Sequence, residues 1–479
     1  MFLDLFFKKR VVTRFAPSPT GELHIGGVRT ALFSYLFAKS QGGKFLLRIE
    51  DTDRERYVEG ATERIEAALD WLGLSPDNRD NTMIQSQRLD IYKKYAVNLL
   101  EEKKAYICVC SKEKLSADRE KQIKEKRPPK YAGTCRELGI KLNDVKKEKY
   151  TIRMKMPISG KVVVQDLIHG DVEFDLSLFD DQIILKSDGY PTYHLASVAD
   201  DHDMDVTHVI RAEEWLPSTP KHLILYKMFN WNPPKFAHLP MNLAPDRSKL
   251  SKRHGATGIF EYKNLGYLPE AIINFIAFLG WHPKEDKEIM NLKEIIKEFT
   301  LGRVQRGAAI FDIKKLDWLN SQYIKMKKSE DLLLLIKEFY GRDFIGDEKM
   351  ALKILEAGKQ RLERLNDFAE LKKSFDLAVD YDAELLRWKE TPPEIILKNL
   401  KKINEIIKIL LSREFNQKEL EEKIMPYADS AGRGEVLWPL RVSLAGKDKS
   451  PGPFEIMGVI GKEESLKRIG IAIKKLELK

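Results

Sequence analysis

The first fifty residues compress a strand, a tight turn, a helix and a second strand into one unit, and few folds can absorb that order. Val11-Val12-Thr13-Arg14-Phe15-Ala16 reads as a short strand, stopped by the turn chemistry of Pro17-Ser18-Pro19-Thr20-Gly21. Val28, Ala31, Leu32, Tyr35 and Leu36 then share one apolar helix face, and Gly42-Gly43 closes the helix by tolerating positive φ. Lys44-Phe45-Leu46-Leu47-Arg48-Ile49 supplies the next strand and runs into Glu50-Asp51-Thr52-Asp53. A crossover of this kind leaves its two strands parallel, which is how a doubly wound nucleotide-binding domain begins.

The rest of the composition sets the frame around that unit. A chain of 479 residues exceeds what one hydrophobic core usually supports, so about three or four domains are expected. With 43% hydrophobic and 32% charged residues, and no apolar run of the ~18 to 20 residues a membrane span needs, a soluble protein is expected. Charge follows rather than precedes the short apolar patch at Met1–Phe7, unlike a secretory signal. The three cysteines all fall between Cys108 and Cys135, which fits a metal clip in a reducing cytoplasm better than a disulfide framework. A net charge of +9 suits a protein that touches a polyanion, though solvated faces give the same number.

Further along, residues 106–186 change character: cysteines, a basic stretch at Lys121 to Lys130 and short strand-like runs such as Lys161–Val164 suggest an inserted domain. Tyr193-His194-Leu195-Ala196 and Val206–Arg211 read as strands joined by the acidic Asp200-Asp201-His202-Asp203, after which Thr219 is expected to cap a helix with Pro220 at its first position. From about Lys325 onward apolar and charged residues alternate at helical period, with Pro392-Pro393 as a joint between two helical modules.

Two stretches carry the chemistry. After the first strand the turn continues Glu22-Leu23-His24-Ile25-Gly26-Gly27 straight into the helix. Glycines there let a phosphate or an adenine approach the backbone, the helix N-terminus favours negative charge, and His24 can donate to developing phosphate charge. Far downstream, Lys249-Leu250-Ser251-Lys252-Arg253 follows Pro245-Asp246-Arg247 as a basic loop dense in donors for polyphosphate. Together these resemble the HIGH and KMSKS signatures of class I aminoacyl-tRNA synthetases. Arg14–Gly21, Arg48–Asp53, Gly189–Ala196 and Arg211-Ala212-Glu213-Glu214-Trp215 narrow the resemblance to the bacterial glutamyl-tRNA synthetases, nearly end to end.

That resemblance implies an α/β Rossmann-type catalytic domain with an α+β insertion, followed by all-α anticodon-binding domains. The implied boundaries are an extension at 1–10, the catalytic domain at 11–105 and 187–240, and an acceptor-binding insertion at 106–186. A domain carrying the KMSKS loop at 241–324 and helical anticodon domains at 325–390 and 391–479 complete the chain. It implies ATP-dependent ligation of L-glutamate to the 3′ end of tRNA(Glu) through a glutamyl-adenylate, with AMP and diphosphate released and Mg²⁺ accompanying ATP. Arg14, Ser18, Glu50, Tyr193, Ser197 and Arg211 are the implied glutamate contacts, Ser197 standing where the family usually has asparagine. Two cations and one anion suit a dicarboxylic amino acid, which favours glutamate over glutamine. His24, Gly26, Gly27, Glu214, Lys249 and Lys252 fall to the ATP side, acting by alignment and charge stabilisation. Cys108, Cys110 and Cys135 form a candidate structural Zn²⁺ site, with Tyr131 the first choice of fourth ligand and Glu137 the alternative. Trp438, in the implied anticodon cage, reads as core rather than as a platform for a base.

The family also implies a cytoplasmic monomer. Whether tRNA(Gln) is a second acceptor stays open. The competing readings are a glutaminyl enzyme, a nucleotidyltransferase sharing the His-x-Gly turn, and a non-catalytic RNA-binding paralogue.

Overall fold

The computed structural model describes residues 10–146, 149–248, 258–376, 381–411 and 415–478. Strand β1 (Val12–Phe15), helix α1 (Ile25–Ser40) and strand β2 (Lys44–Ile49) form as the sequence predicts, with β1 and β2 parallel and Arg14 opposite Leu46. Val28, Ala31, Leu32 and Leu36 bury the apolar face of α1. The reversal between α1 and β2 depends on both glycines. Gly42 has φ +62°, and a Cβ on Gly43 would sit 2.3 Å from the Val11 carbonyl oxygen.

Helix α2 (Ala61–Trp71) leads to β3 (Met83–Ile84), which extends the sheet in the order β1-β2-β3. Helix α3 (Leu89–Glu101) follows, then β4 (Ala105–Cys108), α4 (Lys112–Lys124), β5 (Thr151–Met154), the hairpin β6 (Lys161–Asp166) with β7 (Gly170–Asp175), and β8 (Ile183–Leu185). Strands β4, β5 and β8 make a small antiparallel sheet of their own.

Helix α5 (Tyr193–Asp203), strand β9 (His208–Ala212), helix α6 (Thr219–Met228) and strand β10 (Lys235–Leu239) return the chain to the parallel sheet. The second sheet runs β7-β6-β10-β9, with β6, β10 and β9 parallel and β7 antiparallel at the edge. Hydrogen bonds between Val12 and Thr207 set the start of β9 beside β1. The hairpin from within the 106–186 stretch therefore joins the same sheet as strands that follow it in sequence.

Three local expectations are corrected. Residues 193–196 open a helix rather than a strand, because Leu195, Ala196, Val198 and Ala199 place their apolar groups at helical spacing and all are buried. The acidic run read as a connecting loop is the second half of that helix, where Asp200 and Asp201 are buried against arginines. Helix α6 starts at Thr219 with Ser218 as its N-cap and Pro220 one position later than expected. The Thr219 hydroxyl accepts a hydrogen bond from Arg211 instead of capping.

The chain divides into two compact units, 1–262 with 272–313, and 263–271 with 314–479. Beyond its first short segment, the second unit contains helices and no strand among the described residues, including Ser329–Tyr340, Glu348–Gly358, Pro393–Ile409, Gln417–Ala431, Arg433–Ala445 and Pro453–Glu477. Pro393 opens one of these helices, as the Pro-Pro joint predicts. Trp438 packs its ring 5.2 Å from that of Trp388 and donates its indole N–H to the Leu385 carbonyl, consistent with a structural role.

Candidate active site

In an open parallel sheet the natural crevice lies past the C-terminal ends of the strands where the winding reverses. Here that point falls between β1 and β9. A cleft of about 1940 Å³ opens there, lined by Arg14, Ser18, His24, Gly26, Gly27, Glu50, Tyr193, Arg211 and Glu214. Nine of the residues singled out in the sequence thus converge. Ser197 does not line the cleft. It is fully buried, with its hydroxyl 3.4 Å from an Arg48 nitrogen. Lys249 and Lys252 lie outside the described residues.

His24 is the N-cap of α1, and its Nδ1 accepts the Gly27 backbone N–H at 3.1 Å. That bond fixes the neutral tautomer, so the ring proton is on Nε2. Space is tight around this cap: a Cβ on Gly26 would lie 3.1 Å from the His24 ring, and one on Gly27 2.7 Å from Leu23. A helix N-terminus with a histidine N–H beside it has the chemistry to receive an anion.

The other side of the cleft rests on a buried ionic lattice that sequence reasoning only grazed. Arg48 is fully enclosed, yet it projects from a strand whose other buried residues are apolar, and such a charge must be paired. Its Nη1 donates to Asp201 at 2.6 Å and its Nη2 to Glu50 at 2.9 Å, while Nε lies 3.7 Å from Asp200. Asp201 also accepts from Arg14 Nε at 3.0 Å. Asp200 is held by Arg88, Gln85 and Tyr92. Burial would discharge Arg48, but Asp201, Glu50 and Asp200 override it and raise its pKa. Burial also raises the Glu50 pKa, against the pull of Arg48. For Asp201, by contrast, Arg14 and Arg48 overcome the cost of burial and hold the carboxyl below its usual range. The sequence signal for this lattice was an arginine inside an apolar strand together with an acidic run at helical spacing.

Arg211, at the end of β9, is anchored on several sides. Its Nε donates to His238 Nε2 at 3.0 Å, Nη1 to the Tyr193 hydroxyl at 2.7 Å, and Nη2 to Thr219 Oγ1 at 2.8 Å and the Trp215 carbonyl at 3.2 Å. Nη1 also lies 3.5 Å from His222 Nδ1, so each of the five guanidinium donors has a protein partner within reach. The Tyr193 hydroxyl, accepting from Arg211, keeps its own hydrogen to donate, and a neighbouring cation strengthens that donation. Nearby His222 is buried beside Arg211 and His194, and both burial and those neighbours push its pKa well down, so it stays neutral.

A second cluster lies on β4 and the loop after α4. The sulfurs of Cys108, Cys110 and Cys135 all fall within 4.8 Å of one another, and those of Cys110 and Cys135 are 3.5 Å apart. Sulfurs bound tetrahedrally to zinc at about 2.3 Å sit roughly 3.8 Å apart. The Tyr131 oxygen is 3.4 Å from Cys108 Sγ and 3.8 Å from Cys110 Sγ and accepts the Cys135 backbone N–H. Burial opposes ionisation of Cys108, but the Tyr131 hydrogen bond and the nearby Arg153 bring its thiol down to about 7. Glu137 does not join this group. Its side chain is 80% exposed and faces Arg136 at 3.5 Å. The three thiols, with the Tyr131 oxygen beside them and Glu137 turned to Arg136, are a donor set that suits a zinc ion.

The family model for "tRNA synthetases class I (E and Q), catalytic domain" matches residues 10–318, and that for "Anticodon binding domain" matches residues 330–473. A glutamate–tRNA ligase from Dehalococcoides mccartyi is 45% identical over 97% of this chain and 98% of its own length. The chain belongs to the class I tRNA synthetases for glutamate and glutamine. Another relative of this synthetase, the glutamate–tRNA ligase of Chloroherpeton thalassium, is 41% identical over 98% of this chain and 99% of its own. The crystal structure of a glutamate tRNA ligase from Elizabethkingia meningosepticum, in complex with its amino acid, superposes with a TM-score of 0.88 at 38% identity. It covers 98% of this synthetase and all of that chain. No helix among the described residues of the synthetase is long and apolar enough to cross a membrane.

Proposed function

We propose that this synthetase joins L-glutamate to the 3′ end of tRNA(Glu), through a glutamyl-adenylate formed from ATP with release of diphosphate, and releases AMP on transfer. The observation that carries the reading is a crevice that brings the Arg14 and Arg211 guanidiniums and the Glu50 carboxylate, each at a strand end, together with the His24 helix start. A dicarboxylic amino acid needs two cationic receptors and one anionic one, whereas the amide of glutamine would leave one guanidinium without its charge partner. Arg14 receives the side-chain carboxylate. Arg211 receives the other carboxylate, chiefly through the Tyr193 hydroxyl that it polarises. Glu50 takes the ammonium, with Ser18 at the rim.

His24 Nε2 and the N–H group at Gly26 meet the ATP phosphates, Gly27 leaves room beside them while its N–H holds the His24 ring, Glu214 contributes to the nucleotide side, and Lys249 and Lys252 neutralise the triphosphate as the carboxylate attacks. Mg²⁺ accompanies the nucleotide. The work is alignment and charge stabilisation, with no covalent enzyme intermediate. Ser197 supports the pocket from behind through Arg48. Zinc at Cys108, Cys110, Cys135 and Tyr131 would tie β4 to the loop before β5, supplying structural cross-linking.

Residues 106–186 form the acceptor-binding insertion, 241–324 the segment carrying the second signature, and 325–390 with 391–479 the anticodon modules. The synthetase acts in the cytoplasm as a monomer. The direct test is ATP–diphosphate exchange with glutamate and with glutamine, each with and without tRNA(Glu). Exchange that depends on glutamate supports the proposal. Exchange with glutamine alone overturns it in favour of the glutaminyl reading, and none with either revives the nucleotidyltransferase and paralogue readings.

A further inference from the structure

Behind Arg211, away from the cleft, lie two side chains that neither signature contains. His238 and Asp166 are both fully buried, and His238 Nδ1 is 2.6 Å from Asp166 Oδ2. His238 sits on β10 next to β9, whereas Asp166 is the last residue of β6, from the stretch between the two halves of the parallel sheet. Arg211 can only donate, so the His238 Nε2 that faces it must be an acceptor and the ring proton must be on Nδ1, facing Asp166.

Asp166 is built to enforce that tautomer. Its Oδ1 accepts the backbone N–H groups of Ile168 and His169, and its Oδ2 accepts both the His238 backbone N–H and the ring. Every partner except the ring is a fixed donor. We propose that Asp166 and His238 form a positioning dyad that fixes the imidazole tautomer and thereby holds the Arg211 guanidinium in register with Tyr193 for the amino-acid carboxylate. The proposal rests on the glutamate-binding role given to Arg211 above. Because β6 supplies the carboxylate, the seating of the β6–β7 hairpin on β10 is read directly by the substrate pocket. Neither residue touches substrate; both act through Arg211.

The substitution that isolates this role is Asp166→Asn, which keeps shape and removes one acceptor. Either amide orientation places an NH₂ against N–H donors, and the ring is the only partner able to yield, by moving its proton to Nε2. There it would oppose the Arg211 Nε–H across 3.0 Å. His238→Gln offers Arg211 an amide oxygen with no tautomer to set.

The experiment measures steady-state glutamylation of tRNA(Glu) by the full chain for wild type, Asp166→Asn, His238→Gln and the double variant, with thermal melting of each. Histidine ring ¹⁵N spectra of wild type and Asp166→Asn accompany it. Asp166→Asn is expected to raise KM for glutamate roughly 10- to 100-fold, the scale of one misdirected charge-assisted hydrogen bond, with KM for ATP within about twofold. In the His238→Gln background the same change should cost less than about threefold, and the spectra should show the wild-type proton on Nδ1 moved to Nε2. A wild type that charges glutamate while Asp166→Asn moves both KM values alike, or lowers only the melting temperature, overturns the dyad and leaves the ligase reading intact. A wild type that fails to charge glutamate sinks the ligase reading instead, and an unmoved tautomer in Asp166→Asn then overturns the dyad by itself.

Discussion

Replacing Arg48 with methionine, which keeps the length and removes the charge, should expose how far the pocket depends on its buried lattice. Asp201 would retain Arg14 at 3.0 Å, and Asp200 would retain Arg88 at 2.9 Å, but Glu50 would lose the cation 2.9 Å away. Removing one partner of a buried ion pair typically costs about 3–5 kcal/mol, because the remaining charge stays buried. For the catalytic unit that corresponds to a melting temperature lower by roughly 5–15 °C.

The loss should depend on pH in a definite direction. Burial already raises the Glu50 and Asp200 pKa values, and in both Arg48 is the leading opposing influence, so its removal raises them further. A carboxyl whose folded pKa exceeds its unfolded value favours folding while protonated and loses that contribution as pH climbs through the folded value. The deficit of Arg48→Met relative to wild type should therefore be smaller at pH 5.5 than at pH 8. Thermal melting of both proteins at the two pH values, with glutamate KM measured at pH 8, checks this. A deficit below about 1 kcal/mol, well under that expected for a broken buried pair, or one of equal size at both pH values, would refute the reasoning.

Other consequences can be tested separately. His24→Asn retains an N-cap side chain while losing the Nε2 donor, so stability should stay within about 0.5 kcal/mol while kcat falls roughly 10²- to 10³-fold; equal loss of both would make the histidine a cap and nothing more. Glu50→Gln should raise KM for glutamate far more than KM for ATP. In wild type the glutamate KM should begin to rise, as pH falls, above the ordinary carboxylate range because burial raises the Glu50 pKa, and the Gln variant should lose that inflection. Metal analysis should find about one zinc per chain, lost in Cys135→Ser and weakened in Tyr131→Phe but unchanged in Glu137→Gln; loss in the last variant would restore Glu137 as the ligand.

The parallel unit at the start was legible because its signals are local: an apolar run ended by prolines, a helical face, and a glycine pair at the reversal. The cleft was legible for the same reason, since each strand end announces its polar residue. Tyr193–Ala196 is too short to separate helix from strand by period, and the two buried aspartates of α5 look like loop residues until their arginine partners come from β1, β2 and the residue just before α3. Those partners are 112 to 187 residues away in sequence. The same distance hid Asp166 from His238, 72 residues on. Thr219 was assigned to a cap by residue type, whereas its hydroxyl is taken by Arg211 through a contact only the fold creates. Ser197, expected among the glutamate contacts, is buried with its hydroxyl against Arg48 and does not line the cleft, a placement set by an arginine 149 residues away in sequence.

Aminoacylation of separate tRNA(Glu) and tRNA(Gln) transcripts with radiolabelled glutamate and glutamine, with and without ATP, bears most directly on the central claim. The account predicts ATP-dependent transfer of glutamate to tRNA(Glu), with the tRNA(Gln) lane reporting how widely the acceptor is chosen. Transfer of glutamine in place of glutamate, or of neither to an acceptor that a control enzyme charges, would contradict it.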